Sequence, residues 1–243
     1  MARRKIFQKN NNNQHRKQVK RENFEDTLRL KNIFPKTDNQ KKIFSLYSQN
    51  KHLLLHGLPG TGKTFLSLYL SLKDLLEKGY DKIIIFRSAV ATRDIGFLPG
   101  SAKDKIREFE APYEEICSKL FDRDDIYSQL KMRKMIEFRP TSFIRGITFD
   151  NSIIIVDEVQ NLNDHEVSSV ITRMGNNSKI IMCGDFRQSD FVTKGSEESG
   201  IYNLFKTIKL MPSFAHTELG IDDIVRSGIV KEYIQARHEL GLL

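Results

Sequence analysis

The sequence has few cysteines, no long apolar runs and, over its first stretch, almost nothing that could be buried. Its two cysteines, Cys117 and Cys183, stand far apart, with no CxxC spacing and no histidine cluster beside them. That excludes a disulfide framework and a zinc site of ordinary ligand spacing. His52, His56, His165 and His216 are scattered and read as structural. No apolar run approaches the ~20 residues that a membrane-spanning helix needs. The basic N-terminal stretch lacks the apolar core of a secretory signal. A reducing, cytoplasmic setting is expected, in a bacterial or phage-infected bacterial cell. There is no internal repeat, no RNP-type aromatic pattern and no nuclease-like acid cluster.

Charge is distributed unevenly. Residues 1–22 hold eight basic side chains against the single acid Glu22, so they account for seven of the eight net positive charges. The segment Asn10 to Gln14 adds a polar run with nothing to bury, and such a stretch cannot offset its ordering entropy. Residues 1–22 are therefore expected to be a disordered basic tail and residues 23–243 the folded domain. The tail has two readings, an arm for nucleic-acid phosphates or a solubilising extension.

A short apolar run at 51–56 and continuous β-branched runs at 82–86, 152–156 and 179–183 mark buried strands. Continuous runs, as opposed to alternating ones, suit parallel strands covered on both faces. Helical spacing recurs between them, over 64–78, 102–120 and 164–174, and a further helix opens at Thr37. Strands alternating with helices predict an open, doubly wound α/β sheet.

Two motifs carry chemistry. Gly57-Leu58-Pro59-Gly60-Thr61-Gly62-Lys63-Thr64 matches GxxxxGK[ST] in full and lies between a predicted strand and a predicted helix. Its glycines let the backbone wrap so that successive N–H groups face phosphate oxygens, and the helix start adds its positive dipole end. Lys63 is placed for the β- and γ-phosphates and the Thr64 hydroxyl for magnesium. The second motif is Asp157-Glu158, closing a buried strand whose C-terminal end should line the ligand crevice. Asp157 would hold magnesium and Glu158 would serve as general base toward water. Gln188, after a fourth strand ending Cys183-Gly184-Asp185, is a candidate to contact the γ-phosphate or orient that water.

With these residues in place, the chain resembles the PhoH-like ATPases, single-core relatives of the superfamily 1 helicases. Further matching pieces are Gly96-Phe97-Leu98-Pro99-Gly100, Arg145-Gly146-Ile147-Thr148, Asp157-Glu158-Val159-Gln160-Asn161 and Ser199-Gly200-Ile201, in the expected order. The resemblance runs from about Thr37 to the C-terminus. It implies a three-layer RecA-like core with a mainly parallel sheet, ATP and Mg2+ as ligands, and helicase-like ATP hydrolysis. It implies that Gln40 reads adenine and that Arg226 reaches the γ-phosphate as an arginine finger. A homo-oligomeric ring is also implied, a hexamer being one form. Val159 replaces the more usual alanine after the acid pair, and Phe186-Arg187 replaces a proline and a small residue.

Single-stranded RNA, or DNA, is the expected partner, contacted by the tail and by Arg87, Arg93, Arg139, Phe143 and Arg145. The competing reading is an ATP-gated binding module with no motor activity. A small-molecule kinase is disfavoured, because no lid or acceptor-binding constellation follows the phosphate loop.

Overall fold

The computed structural model describes residues 24–25, 27–88, 102–141, 146, 148–185, 200–226 and 228–242. Its elements, in chain order, begin with α1 (Asp38–Ser48), β1 (His52–Gly57), α2 (Lys63–Glu77), β2 (Lys82–Arg87), α3 (Ala102–Phe121) and α4 (Ile126–Met132). They continue with β3 (Ile136–Pro140), β4 (Ser152–Asp157), α5 (Asp164–Ile171), β5 (Lys179–Gly184), α6 (Gly200–Lys209), β6 (Phe214–Leu219) and α7 (Ile229–Glu239). Single 3-10 turns span Val159–Asn161 and Ile221–Asp223.

The six strands form one sheet in the order β3-β2-β4-β5-β1-β6, and every pairing among them is parallel. Strand alternation divides the core in two. Leu53, Leu55, Ile83, Ile85, Ile153, Ile155 and Ile181 face helices α1 to α4, meeting Ile43, Leu68, Leu72, Tyr113 and Leu130. Leu54, Ile84, Phe86, Ile154, Val156, Ile180 and Met182 face α5 and α6, meeting Val167, Val170, Leu204 and Ile208. Both faces are dry, which is why these strands read as unbroken apolar runs. The expected three-layer α/β core with a parallel sheet is what the chain adopts.

Helix starts follow local chemistry. The Thr37 side chain accepts from the Gln40 N–H to open α1. Asn163 and Glu166 form a reciprocal capping box at α5, satisfying two of its orphan N–H groups. The fifth helix ends at Ile171, three residues short of the expected 174. Two strands, β3 and β6, lie outside the expected set and occupy the two edges of the sheet.

The order of strands positions the site. The loop-bearing strand β1 and the acid-bearing strand β4 are both neighbours of β5, which runs between them. All three strands point the same way, so their C-terminal ends meet on one edge of the sheet, where ligand crevices form in open α/β folds. Gly57 stands where β1 meets β6: a β-carbon there would lie 2.0 Å from the Leu219 carbonyl oxygen. Only glycine allows that approach at a φ of +125°.

Candidate nucleotide site

The loop between β1 and α2 is built on its own hydrogen bonds. The Thr61 hydroxyl is buried and donates to the Leu58 carbonyl at 2.8 Å, closing the turn. Gly62 takes a left-handed conformation and caps α2, whose first residues are Lys63 and Thr64. The Lys63 ammonium donates to the Gly57 and Leu58 carbonyls at 2.7 and 2.8 Å. Burial lowers its pKa from the ordinary lysine value, while Cys183, Asp185, Glu158 and Asp157 pull the other way. The amine is thus held by backbone carbonyls of the loop with carboxylates nearby.

Asp157 ends β4 directly beneath. Its Oδ1 accepts from the Thr64 hydroxyl at 3.0 Å and its Oδ2 from the Tyr113 hydroxyl at 2.7 Å. The carboxyl is buried, and its pKa is raised by burial and by the neighbouring Glu158 charge, against the pull of Tyr113, Arg87 and Thr64. These oxygens suit magnesium: a hydroxyl and a carboxylate, both hard donors, converge where a buried negative charge has neutral hydroxyls as its hydrogen-bond partners. Among the described residues there is no cluster of three or more His, Cys, Asp or Glu that could hold a metal by protein ligands alone.

Glu158 follows with φ +53°, a left-handed conformation for a residue that carries a β-carbon. It caps the 3-10 turn that begins at Val159. The Gln160 side-chain amide donates to the Glu158 carboxylate, and the Gln160 carbonyl oxygen accepts from the Asp185 N–H at 3.0 Å. Gln160 thus bridges Glu158, just after β4, to the residue that follows β5. Gly184 makes room for it, since a β-carbon there would lie 2.6 Å from Val159 Cγ1 and 2.7 Å from Gln160 Oε1.

The other two outlying candidates converge on the same loop. Gln40 is buried, donates from Nε2 to the Thr61 carbonyl at 3.3 Å, and accepts from the Lys36 N–H at 2.8 Å. Among the described residues these bonds use one amide hydrogen and one lone pair of its side chain. Arg226 lies in a segment strapped across the loop: the Val225 N–H donates to the Gly60 carbonyl at 3.2 Å. A β-carbon on Gly60 would stand 3.1 Å from Arg226 Cγ. Glu115 of α3 has its pKa lowered first by Lys119 and in smaller part by Arg226. Asp223 anchors the strap to α1, accepting from the Thr37 hydroxyl and from Asn39 Nδ2 at 2.8 Å.

Lys63, Thr64, Asp157, Glu158, Gln40 and Arg226 therefore surround one loop, with Gly57, Leu58, Pro59, Gly60, Thr61 and Gly62 forming it. Gln188 lies outside the described residues, as do the tail, Arg93, Phe143, Arg145 and the segment 96–100. Arg87 and Arg139, expected as nucleic-acid contacts, are both engaged within the protein. Arg139 donates to Glu137. Arg87 pairs in register with Asp157, and its guanidinium lies 5.7 Å from the Phe109 ring centroid. Burial opposes the Arg87 charge, but Tyr113, Asp157 and Glu158 outweigh it and raise its pKa. Tyr113 and Gln160 were not among the expected site residues. Gln160 had one signal, its place three residues after Asp157; Tyr113 had none.

The family model for PhoH-like proteins matches residues 32–238. The chain belongs to the PhoH family. A PhoH-like protein of Synechocystis is 32% identical over 211 residues, covering 86% of this chain and 63% of that protein. One from Bacillus subtilis is 32% identical over 207 residues, covering 85% and 64%. The chain thus spans less than two thirds of the length of the curated relatives it matches. Among solved structures, the Hef helicase domain of Pyrococcus furiosus overlaps 76% of this chain and 39% of its own, with a TM-score of 0.45 at 11% identity. The SWI2/SNF2 ATPase core of Sulfolobus solfataricus, solved in complex with dsDNA, overlaps 88% and 58%, with a TM-score of 0.41 at 14% identity.

Proposed function

We propose that this PhoH-family chain binds ATP with magnesium and hydrolyses it, in a cycle coupled to single-stranded RNA or DNA in the bacterial cytoplasm. The observation that carries the reading is the hydrogen bond from Thr64 to Asp157. It joins two motifs 93 residues apart directly under the phosphate loop. Magnesium, when bound by Thr64 and Asp157, supplies charge that offsets the build-up on the β- and γ-phosphate oxygens. Lys63 would turn from the loop carbonyls to those same oxygens. Glu158, its carboxylate oriented by Gln160, would accept a proton from the attacking water. Arg226 would spread the remaining transition-state charge; the hydrogen bond from the adjacent Val225 to Gly60 of the same chain supports action in cis, and action in trans is the alternative in a ring. Gln40 would read the adenine edge, and Gln188 is assigned to the water or the γ-phosphate.

The polymer would be contacted through the basic tail and the arginines beyond β2 and β3, without sequence readout. A homo-oligomeric ring, of which a hexamer is one form, belongs to this reading and is tested by the particle mass with and without ATP.

The decisive measurement is magnesium-dependent ATP hydrolysis by the wild type and Glu158→Gln, each with and without single-stranded RNA and DNA. Loss of the base should lower turnover about 10²-fold or more while nucleotide binding persists, and polymer should stimulate the wild type. If polymer changes nothing at low salt, the ATP-gated binding module replaces the motor. If Glu158→Gln turns over ATP at the wild-type rate, Glu158 is not the base.

A further inference from the structure

We propose that Tyr113 is a positioning residue for the divalent cation, acting by fixing the plane of the Asp157 carboxylate. The inference rests on the magnesium–nucleotide reading above. A carboxylate turns about a soft, roughly twofold torsion, so one hydrogen bond leaves its plane undetermined. Here each oxygen has its own partner. Thr64 of α2 holds Oδ1 at 3.0 Å and Tyr113 of α3 holds Oδ2 at 2.7 Å. Between them, the two hydroxyls direct Oδ1 toward the loop and keep Oδ2 out of it.

The tyrosine itself has little freedom. It is fully buried, its ring lies 5.8 Å from that of Phe138 in β3, and it packs in the same apolar cluster as Cys117 and Leu120 of its own helix. Its hydroxyl also meets Arg87, which stands opposite Asp157 in the sheet register. Phe109, one turn earlier on α3, contacts Arg87 as well. One helix face therefore braces both the carboxylate and its cationic neighbour. A phenol suits this task better than a lysine or arginine would: it fixes the carboxylate without neutralising the charge that the cation requires. Groups of this kind, one layer behind the metal ligands, typically alter metal affinity by 10–100-fold when removed.

Tyr113→Phe keeps the ring, the packing and the helix, and deletes only the hydroxyl. The test is the affinity of a fluorescent ADP analogue, measured against Mg2+ concentration and again in EDTA. In Tyr113→Phe the Mg2+ needed for half-maximal tightening should rise about 10-fold, while affinity in EDTA stays at the wild-type value. Tyr127→Phe is the control, because Tyr127, on α4, is another buried tyrosine, and it donates to Glu110 of α3 at 3.1 Å. It should leave the Mg2+ requirement unchanged. The proposal falls if Tyr113→Phe titrates like the wild type, or if Tyr127→Phe shifts the titration equally, since the effect would then be one of helix packing. A wild type whose nucleotide affinity ignores Mg2+ would overturn this proposal and the magnesium reading together. A Mg2+-dependent wild type with an indifferent Tyr113→Phe would overturn this proposal alone.

Discussion

Glu158 is the residue at which local preference and use conflict. A left-handed backbone costs an ordinary residue about 1–2 kcal/mol, and such conformations persist where the surroundings over-determine them. Here the 3-10 turn after Glu158, the Gln160 amide on its carboxylate and the Asp185 N–H behind Gln160 provide that support. Removing the amide should free the carboxylate to sample positions from which it cannot reach water in line. Gln160→Leu is therefore expected to lower kcat about 10–100-fold, the scale of effect seen when supporting groups behind a functional side chain are lost. KM for ATP should change little, because the hydrogen bonds of Gln160 run to Glu158 and Asp185 and not to the phosphate loop. Steady-state kinetics with a thermal melt would check this, and an equal rise in KM would reassign Gln160 to nucleotide binding.

At the scale of elements, legibility followed burial. Strands β2, β4 and β5 are covered on both faces and stand out as Ile-rich runs. The edge strands β3 and β6 mix Glu137 and Arg139, or His216 and Glu218, with apolar residues, and half-exposed strands of that kind carry no continuous signal. The phosphate loop and the acid pair were readable because their residues are contiguous. Tyr113 was not, since it lies 44 positions from Asp157 and only the packing of α3 brings them together. The strap and α7 are held differently from the rest. Ile234 joins Leu58 and Ile224 in a three-residue cluster separate from both main cores. Truncating that one side chain should loosen the strap without unfolding the sheet. For Ile234→Ala we expect a local loss within the 2–5 kcal/mol range of large-to-small core changes. It should appear as faster amide exchange confined to 220–240 and as reduced ATP turnover through a displaced Arg226. Exchange spreading equally into β1 and β4 would mean that the cluster supports the whole core.

Across the molecule, the two ends of the sheet carry opposite designs. At the N-terminal ends, the buried Lys179 ammonium is satisfied by Asp74 and by the Tyr47 carbonyl at 3.1 Å. At the C-terminal ends, carboxylates crowd beside Lys63 and are held by neutral hydroxyls and amides. The first arrangement is closed; the second is the one to which the proposed function assigns a cation and phosphates. Neither accounts for the net charge, because seven of the eight excess positive charges belong to residues 1–22 and the remainder of the chain is nearly neutral. Affinity for a polyanion should then depend on the tail and respond to salt accordingly. For single strands the slope of log K against log salt is about −0.7 per phosphate neutralised. Replacing the eight basic residues of the tail by glutamine should flatten that slope by up to about 6, if all eight engage phosphates. ATP hydrolysis without polymer should stay at the wild-type rate, since the described residues around the phosphate loop all lie between Gln40 and Arg226. A slope unchanged by the replacement would move the polymer contacts from the tail to the folded domain, where the C-terminal edge of the sheet would have to supply them.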